Sequence, residues 1–165
     1  TLARLSYDML LEYGYSAKLA VEAKVASEAV EKVVEANTLL SGLGFESAGL
    51  AAAHAVHNGL TVLEETHGSY HGEKVAFGTL VQLVLENRAP DEIEEVIYFC
   101  TSVGLPITLA GIGVTKVTEK GLRRVAEATC AAGETIHNLA FPVSAEVVYA
   151  AIVTADALGR DYQNC

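Results

Sequence analysis

An all-α fold, a bundle of about seven helices, is predicted by three observations. Apolar residues recur at three- and four-residue spacing along most of the chain, and no segment alternates apolar and polar residues as a strand would. The interruptions fall at Gly, Pro and Ser/Thr positions of the kind that end or cap helices. At 165 residues the chain has the length of one domain, 1–165, able to bury a core without disulfides or structural metal. Hydrophobic residues make up 51% and charged residues 19%, which excludes disorder.

The first helix places Leu2, Leu5, Met9 and Tyr13 on one face and is expected to end at Gly14, with a second stretch around Lys18 to Lys24. Residue 1 is Thr and the helical pattern starts at once without a capping residue, so more polypeptide is expected upstream; processed ends are the alternative. Ser27 suits the N-cap of the next helix, whose apolar side is Val30, Val33, Val34, Ala36 and Leu40, with Gly42 and Gly44 at its end. A helix from about Ser47 to Leu60 is built from small residues on every side, so several neighbours can approach it and it should be central. The helix from His71 to about Glu86 is apolar nearly all round and should also be interior. Asp91 and Glu94 have capping-box spacing; behind them Ile93, Val96, Ile97 and Cys100 form a core face that ends before Leu105-Pro106. Helices over about 118–131 and 144–162 complete the bundle.

Charge narrows the function. With 21 acidic against 11 basic residues the net charge is −10, and no Lys/Arg cluster offsets it, which argues against nucleic acid as a partner. Cys100, Cys130 and Cys165 are far apart and odd in number, with no CxxC pair, so neither a disulfide scaffold nor a zinc ribbon is indicated and a reducing, cytoplasmic setting is expected. The uncharged run between Glu95 and Lys116 contains Gly104, Pro106, Gly111 and Gly113, too many breaks for a membrane span. No GxGxxG, GxSxG or P-loop occurs; Gly42-Leu43-Gly44 reads as helix punctuation.

The chemistry concentrates in the histidines. Four of the five lie between positions 54 and 71. His54 and His57 are i,i+3 on the small-residue helix and share a face with Asn58. A buried imidazole without a partner costs about 1–3 kcal/mol, so each needs a hydrogen bond or a metal ion. Packed helices sit roughly 8–10 Å apart, close enough for His71 to fold back towards His54 and share one ion. His67 lies among polar residues and reads as a solvated loop residue. A catalytic zinc usually has three protein ligands and an open position, and His57, Glu46, Glu73 and Glu134 are all candidates for the third. Glu134 and His137 could form an acid/base pair, although a local structural hydrogen bond is the simpler reading. A helical interaction module with internally satisfied histidines stays open as the non-enzymatic reading.

Several blocks carry a resemblance. Glu35-Ala36-Asn37, Gly44-Phe45-Glu46-Ser47, the run from Ala51 through His54 and His57 to Leu60, His71-Gly72-Glu73-Lys74-Val75-Ala76-Phe77-Gly78 and Gly133-Glu134-Thr135-Ile136-His137-Asn138 closely resemble glycerol dehydrogenases of the iron-containing (group III) alcohol dehydrogenase superfamily. The resemblance covers essentially the whole chain and corresponds to the C-terminal, metal-binding helical domain of that dehydroquinate synthase-like fold. It implies NAD-linked oxidation of glycerol to dihydroxyacetone, or of another small polyol. It also implies a divalent metal, usually zinc, on one Asp and two His, with the two His at His54 and His71. The Asp and the N-terminal NAD-binding domain would then lie upstream of Thr1, leaving these residues inactive alone and only weakly able to bind metal. His57, one turn from His54, would line the substrate cleft or orient a ligand. A homo-oligomer is expected, with no membrane partner.

Overall fold

The computed structural model describes residues 2–164; Cys165 lies outside the described residues. Among these there are seven α-helices, short 3-10 turns and no strand, in two compact units, 2–49 and 50–164.

The first unit holds two helices. The α1 helix, Leu2–Glu22, runs straight through Gly14, where a break was expected. Gly14 and Ala17 are its buried residues, one turn apart, and this bare stripe is where the rest of the unit packs. Tertiary contact thus outweighs a cost of about 1 kcal/mol for glycine in a helix interior. Ser27 caps the second helix as its sequence position suggests, its Oγ accepting the Val30 N–H at 3.4 Å. Glu28–Glu35 then passes through a π-turn, Ala36–Leu40, into Ser41–Ala48 without interruption; the whole rod, Glu28–Ala48, is α2. Gly42 and Gly44 therefore sit inside a helix and do not end one. The stop is Gly49, at φ 72°, a left-handed conformation open to glycine and strained for other residues.

That stop also delays the next helix. The α3 helix, Ala52–Leu60, starts five residues later than its apolar pattern suggests. It is central to the second unit, as its small residues predict: it packs against α4, His71–Leu85, against α6, Glu119–Thr129, and against the turn Thr135–Asn138. The α5 helix, Pro90–Val103, lies on α4, and α7, Ala145–Gln163, packs on α4 and α6. Thr118 and Ser144 cap α6 and α7 through their hydroxyls. The expected Asp91–Glu94 capping box does not form. Ala89 is the N-cap and Pro90 opens the helix, so Asp91 already lies in the first turn, where its charge favours the dipole.

Phe77, Leu60, Leu80, Val56 and Val125 are fully buried in this unit. Cys100 joins them, and burial pushes its thiol up to about 11, which suits a core residue rather than a nucleophile. The uncharged run after Glu95 divides between the end of α5 and a loop containing the turn Ala110–Ile112. Among the described residues no single helix is long and apolar enough to cross a membrane.

Candidate metal centre

The histidines are held by two helices pressed closely together. Gly78 of α4 backs onto α3 so tightly that an added Cβ would meet the carbonyl of Ala53, the residue before His54. Four residues further along α4, Gln82 Oε1 accepts the Ala53 N–H at 2.9 Å, satisfying one of the donors left open at the start of α3. Thr135 Oγ1 donates to Ala51 O at 2.8 Å and Asn138 Nδ2 to Leu50 O at 2.7 Å, so the entry into α3 is fixed from a second side. Asn58 Nδ2 donates to Glu134 Oε2 at 2.9 Å.

His71 opens α4, and its position depends on the turn before it. Lys74 is 6% exposed, with Nζ donating to Thr66 O at 3.1 Å and Ser69 O at 3.0 Å. The Thr66 hydroxyl lies 2.9 Å from both Leu60 O and Leu63 O. Glu73 Oε2 accepts the Tyr70 N–H at 2.6 Å, an interaction that fixes the first turn of α4. His67 is exposed, as expected for a loop residue, but it is not left to solvent: its Nε2 sits 3.0 Å from Thr61 O.

Three rings converge as a result. The centroids of His54 and His71 are 5.3 Å apart, with planes inclined at 49°. His57 lies closer still to His71, at 4.3 Å between centroids and nearly perpendicular. Its Nε2 is 2.9 Å from His71 Nδ1, and its own Nδ1 is buried without a hydrogen-bond partner. Among the described residues none hydrogen-bonds the ring nitrogens of His54. Burial, and secondarily the neighbouring His71, holds the pKa of His54 below its ordinary 6.5. His57 is lowered by burial first, then by His71, Lys74 and His54. Both rings thus favour the neutral form, in which an imidazole carries a lone pair for a metal ion.

The other third-ligand candidates are accounted for differently. Glu73 is engaged with Tyr70 and Glu134 with Asn58, while Glu46 belongs to the first unit. His137 turns its Nε2 to Ala131 O at 3.2 Å, so the pairing of its ring with the Glu134 carboxylate is not formed. Among the described residues no group of three or more His, Cys, Asp or Glu side chains is arranged to hold a metal. The donors therefore suit a divalent ion in kind and fall one short of a catalytic set in number. Gln82, Lys74, Thr135 and Asn138 were not singled out in the sequence. Their only signal was the presence of Lys74, Thr135 and Asn138 inside the distinctive blocks.

Fold and site together define a helical domain that gathers histidines between two packed helices, and comparison with known proteins shows what it is similar to. No family model matches the chain. The glycerol dehydrogenase of Citrobacter freundii is 59% identical over 162 residues, 98% of this chain and 44% of that protein. A glycolaldehyde reductase of Halobacterium salinarum is 55% identical over 159 residues. The crystal structure of glycerol dehydrogenase from Schizosaccharomyces pombe superposes with a TM-score of 0.94 at 44% identity, covering 99% of this chain and 42% of that one. Over nearly its whole length the chain is similar to glycerol dehydrogenases and matches their C-terminal helical domain. It spans less than half the length of the relatives it matches.

Proposed function

We propose that this chain is the metal-holding part of an NAD-linked dehydrogenase that oxidises glycerol to dihydroxyacetone. The carrying observation is the convergence of His54 and His71, 5.3 Å apart on two helices locked together at Gly78 and Gln82. His54 and His71 would hold a divalent ion, zinc by the family pattern. Bound there, the ion supplies Lewis-acid chemistry, lowering the pKa of a substrate hydroxyl, while NAD accepts the hydride. The chain's own residues prepare that site. Burial lowers the pKa of His54 and so favours its neutral form, and the Lys74 and Glu73 contacts hold the turn that presents His71. The Leu50, Ala51 and Asn58 clamps keep α3 from shifting, which matters because a displacement of about 1 Å can cost 10²-fold in rate.

The NAD-binding domain and a carboxylate ligand belong, on this reading, to polypeptide outside these 165 residues. The chain alone is then inactive and binds metal weakly, and the complete enzyme functions as a homo-oligomer. A small polyol or hydroxyaldehyde other than glycerol is the second reading, favoured by the similarity to a protein named glycolaldehyde reductase.

Zinc titration tests the metal role: weak, pH-sensitive binding is expected, lost in His54→Ala and in His71→Ala. In a protein that also carries the NAD-binding domain, either substitution should cut turnover of glycerol severely while leaving NAD affinity nearly unchanged. Retained turnover in both variants excludes the assignment, and a higher kcat/KM with glycolaldehyde than with glycerol selects the second substrate.

A further inference from the structure

We propose that His57 is a positioning residue: its Nε2 accepts the Nδ1–H of His71 and thereby turns the Nε2 lone pair of His71 towards the cation. This inference rests on the reading of His54 and His71 as metal ligands. The contact is direct, 2.9 Å between His57 Nε2 and His71 Nδ1, with the rings edge-on at 83°. A neutral imidazole has one ring proton to place, and only its bare nitrogen can bind metal. Because His57 occupies the Nδ1 side of His71, the nitrogen left for a cation is Nε2. That atom is bare only in the tautomer with the proton on Nδ1, the one in which His57 is the acceptor. Hydrogen bonds from metal-bound histidines to a second residue commonly set both tautomer and ring orientation.

On this reading His57 stands outside the ligand set. Its Nε2 is committed to His71, and its Nδ1 is buried without a partner. With no second partner for His57, its one directed hydrogen bond is the one to His71.

The test is a zinc titration followed on the histidine ring signals by NMR, which registers weak binding. In the unaltered chain the His54 and His71 signals should move together, with His71 protonated on Nδ1. His57→Leu, of similar bulk but without an acceptor, should weaken zinc binding about 10–100-fold. His57→Gln, whose Oε1 can accept the same proton, should recover most of the loss. If His57→Leu fails to fold, His57→Asn, too short to reach His71, replaces it in the comparison with Gln. Zinc binding unchanged in the acceptor-free variant overturns the inference, and so does an equal loss in the Gln variant. Ring signals of His54 and His71 that ignore zinc in the unaltered chain refute the ligand reading itself, a result that does not depend on position 57.

Discussion

Residues 2–49 and residues 50–164 are both helical, yet they are built on different principles. In the first region the buried apolar side chains are Ala17, Ala36 and Leu40, while Val21, Val25, Leu39 and Phe45 are each more than half exposed. In the second, Phe77, Leu80, Leu109, Ile112, Leu122 and Ile152 are all at or below 2% exposure. Helical pattern is equally strong in both, so periodicity reports that a helix forms and not how much it buries. The histidine site belongs to the region with the deep core. On the proposed metal role, this fits the requirement that ligands be held within about 0.5 Å of their working geometry by locked neighbours.

The largest expected effect is at the core itself. Phe77→Ala should destabilise residues 50–164 by about 3–5 kcal/mol, whereas Leu40→Ala should cost the first region about 2 kcal/mol, near the lower end for such changes. Urea unfolding of both variants checks this, and equal losses would break the contrast drawn above.

A smaller effect separates two helical glycines. At Gly78 an added Cβ meets the Ala53 carbonyl, so Gly78→Ala should cost about 1–3 kcal/mol and displace the His54 helix. At Gly42 no atom lies within 4 Å of the added Cβ, and Gly42→Ala should stabilise by roughly 0.5–1 kcal/mol through reduced backbone entropy. Thermal melts of the two variants should therefore move in opposite directions.

The mildest effect is on pH dependence, and it too should be confined to the second region. His54 and His57 have folded-state pKa values below the ordinary 6.5, so the unfolded chain takes up protons first as pH falls. Their contribution is full above about pH 6.5, declines as pH drops below it, and levels off once the folded values are passed. Unfolding midpoints across this range should fall less steeply in a His54→Gln/His57→Gln variant. An unchanged slope would show that the two rings are not held neutral by the fold.

Much of this was legible in the residues. The i,i+3 spacing of His54 and His57 puts them on one face whatever surrounds the helix. Ser27, Thr118 and Ser144 cap helices because a hydroxyl one residue before the first turn reaches an open N–H by local geometry alone. The misreadings share a cause. Gly14, Gly42 and Gly44 read locally as helix ends, and Ser47 as a helix start, but glycine's local preference is weak enough for packing to reverse it.

The sequence by itself determined what repeats within a turn or two: helices, caps and the histidine pair on one face, together with the acidic character of the whole. Only tertiary structure decided that His57 lies nearer to His71 than His54 does, that Lys74 is buried on two carbonyls, and that Thr135 and Asn138 clamp the entry to α3. The physical reason is range. Backbone geometry propagates over three or four residues, whereas those contacts join residues up to 88 positions apart, and the packing of whole helices sets them.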